Sequence, residues 1–143
     1  MGYVEGANRE QVVLFPEVLD DYVSDENPVR FVEAWVNQLP LRELGFSKAE
    51  PEELGRPAYD PRDLLKLYIY GYVNEIRSSR KLERETKRNV ELMWLLRKLS
   101  PDHKTIANFR KDNRKALPEV FRSFTKLCRE LNLYGRELVG IDG

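Results

Sequence analysis

The sequence predicts a mainly α fold, one compact domain of several helices, on three observations. Apolar residues recur at helical spacing, as at Val29, Val32, Trp35, Val36 and Leu39, and again at Val120, Phe121, Phe124, Leu127, Cys128 and Leu131. Two dipeptides, Asn27-Pro28 and Asp60-Pro61, set a capping side chain directly before a proline, which suits the first turn of a helix. The composition, 41% hydrophobic and 34% charged over 143 residues, fits one helical domain with a real core and not a disordered chain.

Taken in order, residues 1–24 hold few helical signals, and Val12-Val-Leu-Phe-Pro16 reads as an extended lead-in. The first helix starts at Pro28 and stops at Pro40, and residues 41–46 add a short turn. Residues 47–59 are acidic and interrupted by Pro51, Gly55 and Pro57, the marks of a loop. The helix over 61–76 carries Leu64, Leu65, Leu67, Tyr68, Ile69, Tyr70, Tyr72 and Val73 in every direction around its axis. Such a helix is central or lies at a subunit interface. Gly71 in its middle costs about 1 kcal/mol against alanine, and close approach of another helix accounts for it.

Three short helices follow. The first, 80–88, is charged, turns Leu82 inward and has Ser79 as its expected cap. The second, 90–99, starts after Asn89 and is rich in Leu92, Met93, Trp94, Leu95 and Leu96. The third, 102–115, has Asp102 as its cap. Residues 80–115 thus have the outline of a helix-turn-helix-like unit, an outline that a plain three-helix core shares. A long last helix runs from Pro118 to about residue 133, and residues 137–143 read as the start of a strand that delivers Asp142.

Charge is distributed unevenly although the net formal charge is zero. Residues 1–63 carry 6 basic and 14 acidic side chains, whereas residues 77–115 carry 13 basic and 5 acidic ones. Such a split points to a nucleic-acid-binding part. Within the third short helix Lys104, Asn108, Lys111 and Lys115 recur at i, i+4, i+7 and i+11 and form one polar stripe. Ile106, Phe109, Ala116 and Leu117 fall opposite, with Arg110 and Arg114 flanking the apolar side. A helix read into a DNA groove needs that division, since lysines meet phosphates and an amide meets a base edge. Arg80, Lys81, Arg84, Lys87 and Arg88 of the preceding charged helix suit the phosphate backbone. A solvated surface helix shows the same stripe.

Other function classes are narrowed by absence. One cysteine, Cys128, allows no internal disulfide and no cysteine-rich zinc site, and its helical neighbours Phe121, Phe124 and Leu131 give it a buried apolar place. The only histidine, His103, reads as a first-turn helix residue and not as a base or ligand. No apolar run reaches the roughly 20 residues that span a bilayer, so no membrane partner is expected. Met1-Gly-Tyr-Val-Glu-Gly6 lacks the features of a signal peptide, and the cytoplasm is the expected compartment.

Several motifs in order carry a resemblance. Gly55-Arg-Pro-Ala-Tyr-Asp-Pro-Arg-Asp-Leu-Leu65, Tyr70-Gly-Tyr72, Ile76-Arg-Ser-Ser-Arg80, Leu82-Glu-Arg-Glu85, Arg88-Asn-Val-Glu91, Pro101-Asp-His-Lys-Thr-Ile-Ala-Asn-Phe-Arg110 and Val139-Gly-Ile-Asp-Gly143 look like the N-terminal portion of bacterial insertion-sequence transposases. The matching group has an InsH-like helical domain ahead of an RNase H-like DDE core. The resemblance covers residues 10–143. It implies a helical DNA-binding and assembly domain over 1–134, with 135–143 the start of a truncated catalytic domain. Asp142 is similar in position to the first acid of the DDE triad, and this chain holds no second.

The resemblance therefore implies double-stranded transposon ends as partner, a nucleoid-associated bacterial protein, and no catalysis by this chain alone. It implies no cofactor for this chain and Mg²⁺ or Mn²⁺ for the complete transposase. A second copy or a full-length transposase is the protein partner it suggests. A helical interaction module, acting as an inhibitor of full-length transposase without a DNA site of its own, is the alternative.

Overall fold

In the computed structural model, residues 2–3, 8–10, 18–47 and 59–133 are described. The expected lead-in at 12–16, most of the expected acidic loop and the expected strand with Asp142 lie outside them. Within them the fold is mainly α, as expected, with no strand among the described residues. A 3-10 turn, Leu19–Tyr22, precedes α1 (Pro28–Asn37), α2 (Pro61–Val73), α3 (Ser79–Arg88), α4 (Val90–Leu95), α5 (His103–Asp112) and α6 (Ala116–Glu130).

Both cap-then-proline signals start helices. The Asn27 carboxamide accepts from the Val29 N–H at 2.9 Å, and the Asp60 carboxylate from the Arg62 N–H at 2.9 Å. Helix α2 is the axis of the domain, with Leu65, Leu67 and Ile69 fully buried. Its covering comes from this chain's own α1, α4 and α5. Even Asp63 and Lys66 are buried there, Asp63 against Arg97 at 3.0 Å and Lys66 against Glu33 at 3.7 Å. The expected close approach at Gly71 is present. A Cβ at that position would stand 2.7 Å from the Ile76 carbonyl oxygen and 2.9 Å from Leu82 of α3.

Polar side chains fix how the helices meet. Glu91 at the start of α4 accepts from Asn27 at 2.8 Å and from the Tyr70 hydroxyl at 2.6 Å, joining α1, α2 and α4. Trp94 of α4 donates to Asp20 at 2.9 Å, which holds the 3-10 turn where the sequence offered no helical signal. On the other side Phe124 of α6 packs its ring 5.1 Å from Trp35 and 5.9 Å from Phe31, closing α6 onto α1. Cys128 is fully buried, as its spacing predicts, and burial pushes its thiol up to about 11.

Several boundaries differ from the sequence reading. Helix α3 is capped by Ser78, whose hydroxyl accepts from the Lys81 N–H at 3.3 Å, and not by Ser79. Helices α2, α4 and α6 end at Val73, Leu95 and Glu130, short of the expected 76, 99 and 133. In each the chain turns left-handed just past the end, at Glu75 (φ 60°), at Arg97 (φ 52°) and at Asn132 (φ 55°). The next N–H reaches back five residues: Ile76 to Gly71, Lys98 to Met93 and Leu133 to Cys128, each at 2.8 Å. This closure satisfies the last carbonyls and stops the helix. It also leaves Leu131, expected on the apolar face, 52% exposed.

Candidate nucleic-acid interface

Helix α5 begins where the sequence predicts it. The Asp102 carboxylate accepts from the Thr105 N–H at 2.8 Å. Its bonds to Thr105 and the nearby positive charges hold the Asp102 carboxyl below its usual value. Two apolar residues anchor the helix, Ile106 and Phe109. The Phe109 ring lies 5.7 Å from Tyr68 and 6.0 Å from Phe46, stacked with each. The Tyr68 hydroxyl donates to the Ile106 carbonyl at 2.5 Å, and burial pushes that hydroxyl up to about 12.

The lone histidine has a partner that its sequence position did not announce. Glu83 of α3 accepts from the His103 backbone N–H at 2.7 Å and lies 3.0 Å from its ring Nδ1. A carboxylate is favoured at the first N–H groups of a helix. The two His103 contacts, with Lys87 adding to them, hold the Glu83 carboxyl below its usual value. The contact clamps α3 to the start of α5. Thr86 strengthens the joint by bonding Ser100 at 2.7 Å, in the link between α4 and α5.

With its anchors inward, α5 turns Lys104, Ala107, Asn108 and Lys111 into solvent. The stripe ends there. The helix stops at Asp112, so Lys115 leaves the row and becomes the residue before α6, which starts at Ala116 and not at Pro118. Ala116 and Leu117, expected on the apolar side of α5, belong to α6. The cause is Asn113, a buried amide to which the sequence pattern assigns no role. Its side chain donates to the Phe109 carbonyl at 2.9 Å and accepts from the Ser47 N–H at 2.9 Å, closing α5 and tying it to the turn before residue 47.

All eleven residues expected to meet DNA are exposed: Arg80, Lys81, Arg84, Lys87 and Arg88 on α3, and Lys104, Asn108, Arg110, Lys111, Arg114 and Lys115 on or after α5. Lys87 pairs with Glu83 at 3.5 Å and Arg88 with Glu85. Arg80, Lys81, Arg84, Lys104 and Lys111 enter none of the ion pairs formed among the described residues. Because α3 packs on α5, the two basic sets belong to one packed unit. Arg110 and Arg114 stand apart from the stripe, lining a cavity beside α2 and α6 that Arg77 also lines. Arg77 was absent from the expected set; its sequence signals are its place in the basic stretch and in the motif Ile76-Arg-Ser-Ser-Arg80.

Asp142 lies outside the described residues. Among those described, no group of three or more His, Cys, Asp or Glu side chains converges as a metal site. No described helix is long and apolar enough to cross a membrane.

No curated protein and no solved structure matches the chain. A family model does, the one described as Transposase domain (DUF772), over residues 17–112. The match takes in the 3-10 turn and α1 to α5, and it ends at the last residue of α5. The chain belongs to this transposase-domain family.

Proposed function

We propose that this chain is the N-terminal DNA-binding and assembly part of an insertion-sequence transposase, recognising transposon ends. The observation that carries the reading is the exposed face of α5, where Lys104, Asn108 and Lys111 stand outward over the anchors Ile106 and Phe109. In this reading α3 to α5 work as a helix-turn-helix-like unit, with α5 as the recognition helix. The α3 cations Arg80, Lys81 and Arg84 hold phosphates, and the paired Lys87 and Arg88 add to them. Ala107 on the same face keeps it low, which suits close approach to base edges. Catalysis, with its Mg²⁺ or Mn²⁺, belongs to an RNase H-like core of which Asp142 is the first acid. The protein acts at the bacterial nucleoid, with a second copy or a full-length transposase in the assembly.

Salt titrations by fluorescence anisotropy on a transposon-end duplex and a scrambled one test this. Each true phosphate contact lowers the salt slope of log K by about 0.9 when removed, so Lys111→Ala weakens binding to both duplexes alike. Asn108→Ala instead narrows the gap between the duplexes, because its amide pairs with a base edge. If both variants match the parent on both duplexes, α5 is a solvated face and the proposal fails.

A further inference from the structure

Between α2, α5 and α6 the surface sinks into an apolar cavity of about 530 Å³, lined by Tyr68, Tyr72, Ile76, Leu117, Pro118 and Phe121. That volume is of the order found for small-molecule and cofactor sites, roughly 300–1,000 Å³. Tyr72 and Phe121 stack with ring centres 4.6 Å apart and planes within 8°, and both are half-buried. Three exposed arginines, Arg77, Arg110 and Arg114, complete the lining. No carboxylate pairs with any of them among the described residues.

We infer that this cavity takes one unpaired nucleotide of the DNA, its base against the Tyr72–Phe121 wall and its flanking phosphates on Arg77, Arg110 and Arg114. The inference rests on the DNA-binding reading and specifies a second contact for it. Guanidinium groups match phosphate oxygens through two parallel hydrogen bonds, and three unpaired ones around an apolar hollow call for an anion with an apolar body. A nucleotide is both. Every base has a π face, so stacking on aromatic residues needs no particular sequence. Peptides that dock as strands need a sheet edge for their backbone groups, and the elements around this hollow are helices. Position agrees as well, since Arg110 and Arg114 lie on and just after the helix that carries Lys104, Asn108 and Lys111.

The test uses the whole chain, a blunt duplex, and the same duplex with a single-stranded tail that contains a fluorescent adenine analogue. Anisotropy should show the tailed duplex binding about tenfold tighter, the value of one moderate base–aromatic stack. The analogue's emission should be quenched on binding. Phe121→Leu keeps the apolar volume but removes the ring, and Arg77→Gln removes one phosphate contact. Each should bring the ratio of tailed to blunt affinity toward one, a ratio that partial unfolding alone does not change. Equal affinity for the two duplexes overturns this inference and leaves the DNA-binding reading standing. Failure to bind either duplex overturns both. Displacement of the tail by an acidic, tyrosine-containing peptide, with blunt-duplex binding retained, would assign the cavity to a protein partner instead.

Discussion

Helices α2 and α5 start alike and end up as opposites. Each is capped by an aspartate, Asp60 for α2 and Asp102 for α5. Beyond the cap, α2 buries apolar side chains all round and takes Asp63 and Lys66 in with them. Helix α5 buries Ile106 and Phe109 and leaves its cations in water. The start signal therefore says where a helix begins and nothing about what it faces. The number of directions in which apolar residues point decides that. One helix confers stability and the other displays charge, and variants of each should show it.

The largest expected effect is at Asp63. Asp63→Ala removes a carboxylate that the Arg97 guanidinium contacts at 3.0 and 3.2 Å and leaves Lys66 buried with Glu33 alone. Breaking a fully buried pair costs about 3–5 kcal/mol; because Arg97 stays in water, Lys66 keeps Glu33 and burial already disfavours the Asp63 charge, a smaller loss, about 2 kcal/mol, is expected. Lys111→Ala on α5 should change stability by less than about 0.5 kcal/mol. Urea unfolding of both variants checks the contrast, and equal losses would erase it.

Next in size is Gly71→Ala. Alanine gains about 1 kcal/mol in helix propensity. Its Cβ would meet the Ile76 carbonyl oxygen at 2.7 Å, and that atom is backbone, so it cannot step aside cheaply. Overpacking of this kind costs about 1–3 kcal/mol, and a net loss near 1 kcal/mol is expected in the same urea experiment. A gain would mean that α3 stands further from α2 than Leu82 indicates.

A smaller effect, of opposite sign, is expected where α2 closes. Glu75 holds a left-handed backbone that glycine adopts without strain. Glu75→Gly should raise stability by about 0.5–1 kcal/mol, read from the thermal midpoint. No rise would place the cost of this turn elsewhere.

These closures also explain what the sequence could and could not tell. Four helix starts were legible because caps are local: Asn27, Asp60, Asn89 and Asp102 each bond an N–H two or three residues on, whereas α6 has no side-chain cap and its start was misread. The ends of α2 and α4 were not legible, because glycine is the expected stop signal and Glu75 and Arg97 stand in its place, while Asn132 after α6 is the residue that replaces glycine most readily. The apolar pattern runs on through Ile76 and Leu133, which pack against the core after the turn and so mimic a longer helix. The outward side chains of α5 were legible from spacing alone. Two features of the candidate site depend on distant segments and so had no local signal. Asn113, which ends the stripe before Lys115, is held by Ser47, and His103 is held by Glu83.

The finest test of the comparison is the pH dependence of one acid from each helix. Burial raises the Asp63 carboxyl above its ordinary value of 3.8, against the pull of Arg97 and Lys66. The folded state then holds its proton more tightly than the unfolded one, so this group's contribution to stability falls as pH rises from 3.8 through the folded value. Asp102 has the opposite sign. Its bonds to the Thr105 backbone and side chain lower the carboxyl below 3.8, so its contribution is present above 3.8 and is lost as pH falls through the folded value. Urea midpoints of the parent, Asp63→Asn and Asp102→Asn from about pH 2 to 6 separate the two. The stability of the parent relative to Asp63→Asn should fall with rising pH, while that relative to Asp102→Asn should rise. Slopes of one sign for both would mean that Asp63 is as well solvated as the α5 cap, and the division between a buried and a displayed helix would lose its electrostatic half.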